Sequence, residues 1–356
     1  MIDRKKTRRI YIGNVAIGDG APISVQSMTN TKTTDTEATV AQINALQAAG
    51  CDIVRLAVPD MEAAQNLGNI IAKVKVPLVA DIHFDYRLAL EAINQGISAL
   101  RLNPGNIGSE ERVRAVVKEA KAHHIPIRIG VNAGSLDKTL LEKYGGVTAE
   151  ALVESALQHV RILEQQGFYD MKISLKAHDV PLTLEAYQLM SEKVDYPLHL
   201  GITEAGTART GMIKSAVGIG ALLAQGIGDT FRISLTGDAV VEVKVANEIL
   251  KSLGMREYGP TLISCPTCGR TCIDLAGIAE QVEERLSDIK KPISVAVMGC
   301  VVNGPGEARG ADVGIAGGNG VGLVFRKGEI IRKVDEKDLV DELFKEIDAI
   351  LVEEEK

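Results

Sequence analysis

The sequence predicts an α/β protein, with an N-terminal (β/α)8 TIM-type barrel and a smaller C-terminal α+β domain. Short apolar runs alternate with helix-period stretches from Pro22 to Gly237. There are eight such runs in roughly 230 residues, close to the ~250 residues of a typical barrel. No Gly-x-Gly-x-x-Gly motif follows the first run, which disfavours a dinucleotide-binding sheet.

The eight expected strands are bounded by Pro, Gly or polar residues. They are Pro22–Met28, Asp52–Pro59, Pro77–His83, Ala99–Pro104, Pro126–Asn132, Met171–Ala177, Pro197–Thr203 and Phe231–Gly237. Among the helices between them, one is expected to be capped by Thr148, and Thr34–Glu37 has the pattern of a capping box. A last barrel helix is expected over Val240–Leu253.

The segment Gly254–Pro260 is expected to be a linker, because Gly and Pro close it. This places the barrel domain at residues 1–256 and the second domain at 261–356. In the second domain a helix is expected from Cys268 or Cys272 to about Ser287, and a final helix after the cap Asp335. The strands expected there are Ile293–Met298, Val313–Ala316, Val321–Phe325 and Glu329–Lys333.

Composition excludes several classes of protein. A net charge of −7 and an isoelectric point near 5.5 argue against a nucleic-acid partner. The Gly/Ala-rich run Ser215–Gly228 is shorter than the ~18 apolar residues of a membrane span. No charged segment followed by an apolar stretch opens the chain, so a cytoplasmic location is expected. Five cysteines, an odd number, favour metal binding or redox chemistry over disulfides.

The expected strand ends are unusually polar, and barrels place their chemistry there. They carry Arg55, Asp81, His83, Arg101, Asn103, Arg128, Asn132, Lys176, Glu204 and Ser234. Four of these residues are cations within apolar sequence. They could form ion pairs with Asp81 and Glu204 in the barrel mouth. The excess of cations over carboxylates favours instead a bound polyanion such as a diphosphate.

Other polar features carry weaker expectations. Gly206–Gly211 follows the seventh strand and could hold phosphate or be an ordinary turn. His123 and His124 are expected at a helix end, and His159 on a helix surface. Cys51 is expected to be a packed or partly exposed thiol without special reactivity.

Three cysteines are the strongest ligand candidates. Cys265 and Cys268 form a Cys-x-x-Cys turn, and Cys300 follows an apolar run that is expected to be a strand. Three thiolates suit an iron–sulfur centre, whereas a structural zinc site normally closes with a second Cys or His pair. Spacing alone leaves Cys272 and Glu307 both open as the fourth ligand.

Several ordered motifs resemble those of the bacterial 4-hydroxy-3-methylbut-2-enyl diphosphate synthase family in its compact two-domain form. The resemblance runs from about Arg9 to the C-terminal helix. The matching segments are Val25–Thr29, Ala80–Phe84, Arg101–Gly108, Arg128–Asn132, Gly201–Gly206, Cys265–Gly269 and Met298–Glu307.

The resemblance implies a [4Fe–4S] cluster held by Cys265, Cys268, Cys300 and Glu307, with Cys272 as a non-ligand. It implies reductive ring opening and dehydroxylation of 2-C-methyl-D-erythritol 2,4-cyclodiphosphate in isoprenoid biosynthesis. Reduced flavodoxin or ferredoxin would deliver the two electrons. The family also implies a head-to-tail homodimer.

The same resemblance implies roles for the polar strand ends. Glu204, supported by Asp81, would protonate the departing hydroxyl, and Asn303 would reach the substrate from the cluster side. His83 belongs to this catalytic set and also contacts the diphosphate. The other implied substrate-binding residues are Arg55, Arg101, Arg128, Asn132, Lys176 and Ser234.

Two other functions remain as alternatives. A transferase barrel of the pterin-binding type could carry a structural zinc ion on the Cys-x-x-Cys turn. A non-enzymatic iron–sulfur carrier is the second, but it would leave the cationic strand ends without a purpose.

Overall fold

The computed structural model of the chain describes residues 2–287, 289–300, 306, 308–318 and 320–353. Asn303 and Glu307, two of the expected site residues, lie outside these described residues. The chain divides into two compact units, Met1–Arg256 and Glu257–Lys356. Among the described residues, no helix combines the length and apolar character needed to cross a lipid bilayer.

The first unit alternates strands and helices. Its strands are β1 Ile10–Ile12, β2 Val15–Ile17, β3 Ser24–Met28, β4 Ile53–Ala57, β5 Leu78–Asp81, β6 Ala99–Arg101, β7 Ile127–Asn132, β8 Met171–Lys176, β9 His199–Leu200 and β10 Thr230–Phe231. Its helices are α1 Thr36–Ala48, α2 Met61–Ile71, α3 Tyr86–Asn94, α4 Glu110–Ala122, α5 Lys138–Tyr144, α6 Ala149–Gln165, α7 Val180–Lys193, α8 Ala208–Ala224 and α9 Ala239–Ser252.

Strands β3 to β10 form an eight-stranded parallel barrel. Their order is β8-β7-β6-β5-β4-β3-β10-β9, and a parallel bridge between Ile173 and Leu198 joins the two ends. Alternate strand residues such as Val54, Leu56 and Leu100 pack in an aliphatic core between strands and helices. This confirms the predicted (β/α)8 fold, in which strands covered by helices are continuously apolar.

A hairpin of β1 and β2, which the sequence analysis did not predict, packs against the start of the barrel strands. Ile12 and Ile17 lie in one apolar cluster with Ile53, Val79 and Ala99. These strand residues begin β4, β5 and β6, so the hairpin covers the amino end of the barrel. The opposite, carboxyl end is the one that carries the polar strand ends.

Several predicted boundaries are wrong in detail. The eighth barrel strand is Thr230–Phe231, because the chain leaves the sheet after Phe231. Asp35, not Thr34, is the N-cap of α1 and accepts a hydrogen bond from Ala38 N. Thr148 caps α6 as predicted, by accepting from Ala151 N.

Within its described residues, the second unit has a five-stranded mixed sheet and two α-helices. Its strands are β11 Thr261–Ser264, β12 Ser294–Met298, β13 Val313–Ala316, β14 Val321–Arg326 and β15 Glu329–Asp335. Its helices are α10 Leu275–Leu286 and α11 Leu339–Glu353. Strands β11, β12 and β13 are parallel, and β13, β14 and β15 are antiparallel.

Two apolar clusters cover the faces of this sheet. The larger contains α10 and α11 residues such as Val282 and Leu343, packed on Val295 and Ile315. The predicted strands are present, but β11 was missed. Helix α10 begins at Leu275 rather than at Cys268 or Cys272, because Asp274 caps it by accepting from Gly277 N.

Candidate active site and metal centre

The interior of the barrel is cationic, whereas barrels are normally filled with branched aliphatic side chains. The polar and charged residues of these strands alternate along the chain with those of the aliphatic core, and they therefore face the interior of the barrel. They are Arg55, Asp81, Arg101, Arg128, Lys172, Lys176, His199 and Arg232. Such an excess of buried positive charge requires either counter-ions in the protein or a bound anion.

Asp81 is the centre of one ion-pair cluster. Its carboxylate lies 3.6 Å from Arg55 Nε and 3.2 Å from Arg101 Nη1, and 3.8 Å from His83 Nε2. Burial alone would raise the pKa of Asp81, but the positive charges of Arg55, Arg101 and Arg128 outweigh it and lower the pKa to about 2. Asp81 is therefore ionised at neutral pH.

Glycine at position 130 allows Arg101 to lie against strand β7. A Cβ atom at Gly130 would come within 2.8 Å of Arg101 Nε. The carbonyl oxygen of Gly130 accepts from Arg101 Nη2 at 3.1 Å and from Asn103 Nδ2 at 2.9 Å. Asn103 Oδ1 accepts from Gly130 N in return. The Arg101 side chain is thus fixed by strand β7 as well as by Asp81.

Arg128 differs from the other arginines because it lacks a partner. It is 1% exposed, and none of its three side-chain nitrogens has a hydrogen-bond partner among the described residues. Its Cα partner on β8 is Lys172, which is equally buried and whose Nζ also has no partner in the described chain. Burial, and then the neighbouring arginines, lower the pKa of Arg128 well below its usual value. Ion pairing within the barrel accounts for Arg55 and Arg101, therefore, but not for Arg128.

His199 extends this group of unpartnered bases. It is fully buried on β9, with Nδ1 3.4 Å from Thr230 Oγ1 and with Nε2 unpartnered among the described residues. Burial, and then Arg128 and Lys172, lower its pKa well below the usual range. The sequence analysis missed both Lys172 and His199, although each interrupts an apolar run.

Arg232 is a further cation that the sequence analysis missed. It follows β10 directly and forms an ion pair with Glu242 on α9, at 3.2 Å. Its Nη1 lies 3.4 Å from Met28 Sδ, a sulfur atom that Arg55 Nη2 also contacts at 3.0 Å. The pattern Phe-Arg-Ile at 231–233 is the same signal that identified Arg55, Arg101 and Arg128.

The remaining expected residues lie around the carboxyl end of the barrel. Asn132 and Lys176 are Cα partners at the ends of β7 and β8, and both are half-buried. Burial, and then nearby arginines, lower the pKa of Lys176 well below its ordinary value. His83 and Glu204 are exposed, and Ser234 is half-buried. Glu204 has a left-handed backbone with φ of 52°, which is uncommon outside glycine.

Three of the histidines considered in the sequence analysis, and Cys51, lie outside this group. His123 is the C-cap of α4, as expected, and His124 follows it. His159 is half-buried rather than on the surface, and its Nδ1 accepts from Gly105 N at 3.2 Å. Burial raises the pKa of the Cys51 thiol to about 12, in keeping with a packed, unreactive residue.

The cysteines of the second unit lie at one edge of its sheet. Ser264 and Val297 are Cα partners on the parallel strands β11 and β12, so Cys265 and Cys300 follow strand ends at the same edge. Gly299 N donates to Cys265 Sγ at 3.2 Å. The backbone N–H of Arg270 lowers the pKa of Cys268. Such donors stabilise thiolates, which are the form that binds iron.

No group of three or more Cys, His, Asp or Glu side chains is placed to hold a metal ion in the part of the chain that the structure describes. Cys265 and Cys300 are half-buried, whereas Cys268 and Cys272 are exposed. Cys272 Sγ donates to the carbonyl oxygen of Arg270 at 3.3 Å. The thiol donors nevertheless have the right chemistry for an iron–sulfur cluster.

Comparison with known families assigns both units. The GcpE TIM-barrel domain matches residues 7–247, and the GcpE protein C-terminal domain matches residues 261–349. The chain belongs to the GcpE family.

Curated relatives match the whole chain. A protein of Clostridium perfringens is 64% identical over 98% of this chain and 100% of its own length. A protein of Geobacter sulfurreducens is 63% identical over 98% of this chain and 99% of its own length. Both are named 4-hydroxy-3-methylbut-2-en-1-yl diphosphate synthase (flavodoxin). This agrees with the family resemblance of the sequence motifs.

Among solved structures, the dihydropteroate synthase of Stenotrophomonas maltophilia is similar to the GcpE barrel. The match covers 70% of this chain and 98% of the dihydropteroate synthase chain, with a TM-score of 0.51 and 13% sequence identity. At this identity the likeness concerns the barrel fold alone. It therefore gives no support to a pterin-binding transferase function.

Proposed function

We propose that this chain converts 2-C-methyl-D-erythritol 2,4-cyclodiphosphate into 4-hydroxy-3-methylbut-2-enyl diphosphate. The reaction takes up two electrons, opens the cyclic diphosphate ring and releases one hydroxyl group as water. Synthesis of this product is the activity for which relatives at 64% and 63% identity are named. Their printed name also supports flavodoxin as the electron donor, with ferredoxin as the other candidate.

The observation that carries this proposal is the buried, unpartnered guanidinium of Arg128 beside paired arginines. Arg55 and Arg101 share the single carboxylate of Asp81, while Arg128 and Lys172 have no hydrogen-bond partner in the described residues. A diphosphate supplies the missing negative charge and several acceptor oxygens. A carrier protein without a substrate would have no use for this arrangement.

The barrel residues would bind the substrate and stabilise the charge that develops on it. Arg55, Arg101, Arg128 and Lys176 would neutralise the diphosphate as the ring C–O bond breaks, because preorganised cations stabilise a leaving anion. Arg232 would join them, and Asn132, His83 and Ser234 would line the site. Asp81 would hold two of the arginines in place.

Glu204 would protonate the departing hydroxyl group. Its exposed position at the carboxyl end of the barrel is compatible with a proton donor at the substrate surface. Asp81 is held ionised by its arginines, so its support of Glu204 would be electrostatic rather than a proton transfer. Asn303 is proposed to reach the substrate from the side of the cysteines.

The cluster would be held by Cys265, Cys268, Cys300 and Glu307, with Cys272 outside the ligand set. When bound, it supplies the two electrons and a Lewis-acidic iron. The chain's part is to present thiolates, and at Cys265 the Gly299 N–H donates to Sγ at 3.2 Å. The proposed assembly is a head-to-tail homodimer, in which the barrel of one copy meets the cysteine unit of the other, in the cytoplasm.

Iron and sulfide analysis of anaerobically purified protein tests the proposal, followed by Mössbauer spectra with and without the cyclic diphosphate. Four irons, one of them distinct and shifted by substrate, together with turnover using reduced flavodoxin, are expected. One zinc ion and no sulfide would overturn the proposal.

A further inference from the structure

Glu242 is a buried carboxylate that no family motif singled out. It lies in the first turn of α9 and is 3% exposed. Its two oxygens accept four hydrogen bonds, which is the full capacity of a carboxylate with good geometry. The donors are Ser27 Oγ at 3.0 Å, Arg232 Nε at 3.2 Å, Arg232 Nη2 at 3.2 Å and Leu235 N at 3.0 Å.

The Glu242 carboxylate fixes one edge of the Arg232 guanidinium, and the other edge faces Arg55. Arg232 Nη1 lies 3.4 Å from Met28 Sδ, and Arg55 Nε lies 3.2 Å from the same sulfur. A thioether is an uncharged, weak acceptor. The two guanidinium groups therefore meet at an atom that carries no counter-charge, so the edges that face it remain able to donate to an anion.

Glu242 also anchors the loop that follows β10. Leu235, whose N–H it accepts, is next to Ser234, and Thr236 N donates to the carbonyl oxygen of Gly206 at 3.0 Å. The loop that carries Glu204 is thereby tied to the loop that carries Ser234. One carboxylate on the outer helix layer thus supports two segments at the carboxyl end of the barrel.

We propose that Glu242 is a positioning residue for the substrate diphosphate, acting through Arg232. By holding Nε and Nη2 it leaves Nη1 in a fixed direction beside Arg55, so the two arginines bind one diphosphate together. A planar guanidinium loses its geometric advantage when its orientation is free. The inference rests on the proposed function for the identity of the anion.

The barrel contains a matched control pair at its opposite end. Asp229 precedes β10 and accepts from Arg4 Nη2 at 3.2 Å, Thr7 Oγ1 at 3.1 Å and Leu198 N at 3.1 Å. The side chains of Arg4 and Asp229 are 18% and 3% exposed, against 18% and 4% for Arg232 and Glu242. Asp229→Asn therefore removes an equally buried ion pair, three residues before Arg232, that shares no hydrogen-bond partner with Glu242.

The experiment measures KM for the cyclic diphosphate and the thermal midpoint of the anaerobically purified holoenzyme. Glu242→Gln is expected to raise KM by about 10- to 100-fold, the effect of a misplaced charged hydrogen bond. Asp229→Asn is expected to lower the midpoint comparably and to leave KM within about twofold. In an Arg232→Met background, Glu242→Gln should change KM by less than about twofold, because its partner is already gone.

An equal rise of KM in both backgrounds, or in Asp229→Asn, would overturn the proposal and leave Glu242 a merely structural residue. If Glu242→Gln does not fold, Glu242→Asp replaces it in the same double-mutant cycle with Arg232→Met. Calorimetric titration with inorganic pyrophosphate measures the affinity of the same variants for an anion without requiring turnover. Failure of the wild-type reaction would then contradict the proposed function, while the pyrophosphate cycle still decides whether Glu242 positions Arg232.

Discussion

The barrel and the cysteine unit prepare their candidate sites in different ways. In the barrel, Asp81 and the Gly130 carbonyl hold Arg101, and Glu242 holds Arg232, so these two cations are oriented by the protein itself. In the second unit, the cysteines share a sheet edge, but the described residues form no group ready to hold a metal ion. The arginines that have partners in the barrel are preorganised, whereas the described cysteines are not.

This difference follows from the chemistry of the two donor sets. Guanidinium groups and carboxylates attract each other, so their geometry is fixed when the chain folds. Thiolates repel each other and converge only around a cation. If this difference holds, a substitution in one site should leave ligand binding at the other site unchanged.

The largest effect is expected from Cys268→Ser. Turnover should fall by more than about 100-fold, since replacing residues that merely support a metal ligand already costs about 10- to 100-fold. Iron content should fall in parallel. Pyrophosphate binding by the barrel, measured by calorimetry, should stay within about twofold of the wild type. Loss of pyrophosphate binding would show that the barrel site needs the cluster, and would contradict the independence of the two sites.

Arg128→Met should separate activity from stability. KM for the cyclic diphosphate is expected to rise at least about 30-fold, because charged hydrogen bonds to phosphate are lost. Stability should not fall, since an unpartnered buried guanidinium is replaced by an apolar group of similar length. Thermal unfolding and steady-state kinetics measure both quantities.

Arg101→Met is the comparison for this variant. It should raise KM similarly but lower the thermal midpoint, because Asp81 and the Gly130 carbonyl each lose one of their partners. Equal destabilisation by the two variants would contradict the distinction between paired and unpaired arginines.

Asp81→Asn should reveal the ion-pair cluster through its pH dependence. The pKa of Asp81 is lowered from 3.8 to about 2, so its ionised form stabilises the fold above pH 3.8 by roughly 2 kcal/mol. This contribution is lost as the pH falls towards 2. The difference in thermal midpoint between wild type and Asp81→Asn should therefore be largest near neutral pH and shrink in acid.

Asp195→Asn serves as the control for this titration. Its ion pair with Arg8 is exposed, at 57% and 44%, and such pairs contribute at most about 1 kcal/mol. The cluster does not stabilise the barrel if the thermal midpoint of Asp81→Asn differs from that of the wild type by the same amount at every pH. The same conclusion follows if Asp195→Asn shows an equal, equally pH-dependent difference in thermal midpoint.

The barrel could be predicted from the sequence because its central strands are buried on both faces and therefore appear as apolar runs. The hairpin of β1 and β2 could not, because strands as short as Ile10–Ile12 carry no periodic signal. The start of α10 was placed too early, since tertiary contacts determine the turn before it. Cys268 N donates to Thr271 Oγ1, and Cys272 N donates to the Gly299 carbonyl.

The cations of the candidate site could also be predicted, but their partners could not. An arginine within an apolar run identifies Arg55, Arg101 and Arg128 equally well, yet among the described residues Arg55 and Arg101 have ion-pair partners and Arg128 has none. Glu242 lies ten positions after Arg232 on a helix, where a carboxylate is ordinary. Pairing depends on which strands and helices adjoin, and single-residue patterns do not encode it.

The smallest effect is expected from Cys272→Ser, which tests the cysteine side of the contrast. Cys272 Sγ is exposed and donates to the Arg270 carbonyl, a bond that a serine hydroxyl can also make. Iron content and turnover should therefore stay within about twofold of the wild type, in contrast to Cys268→Ser. A colourless Cys272→Ser protein would make Cys272 the fourth ligand in place of Glu307. Glu307→Ala completes the test, because it should bind iron loosely and lose turnover if the carboxylate is the ligand.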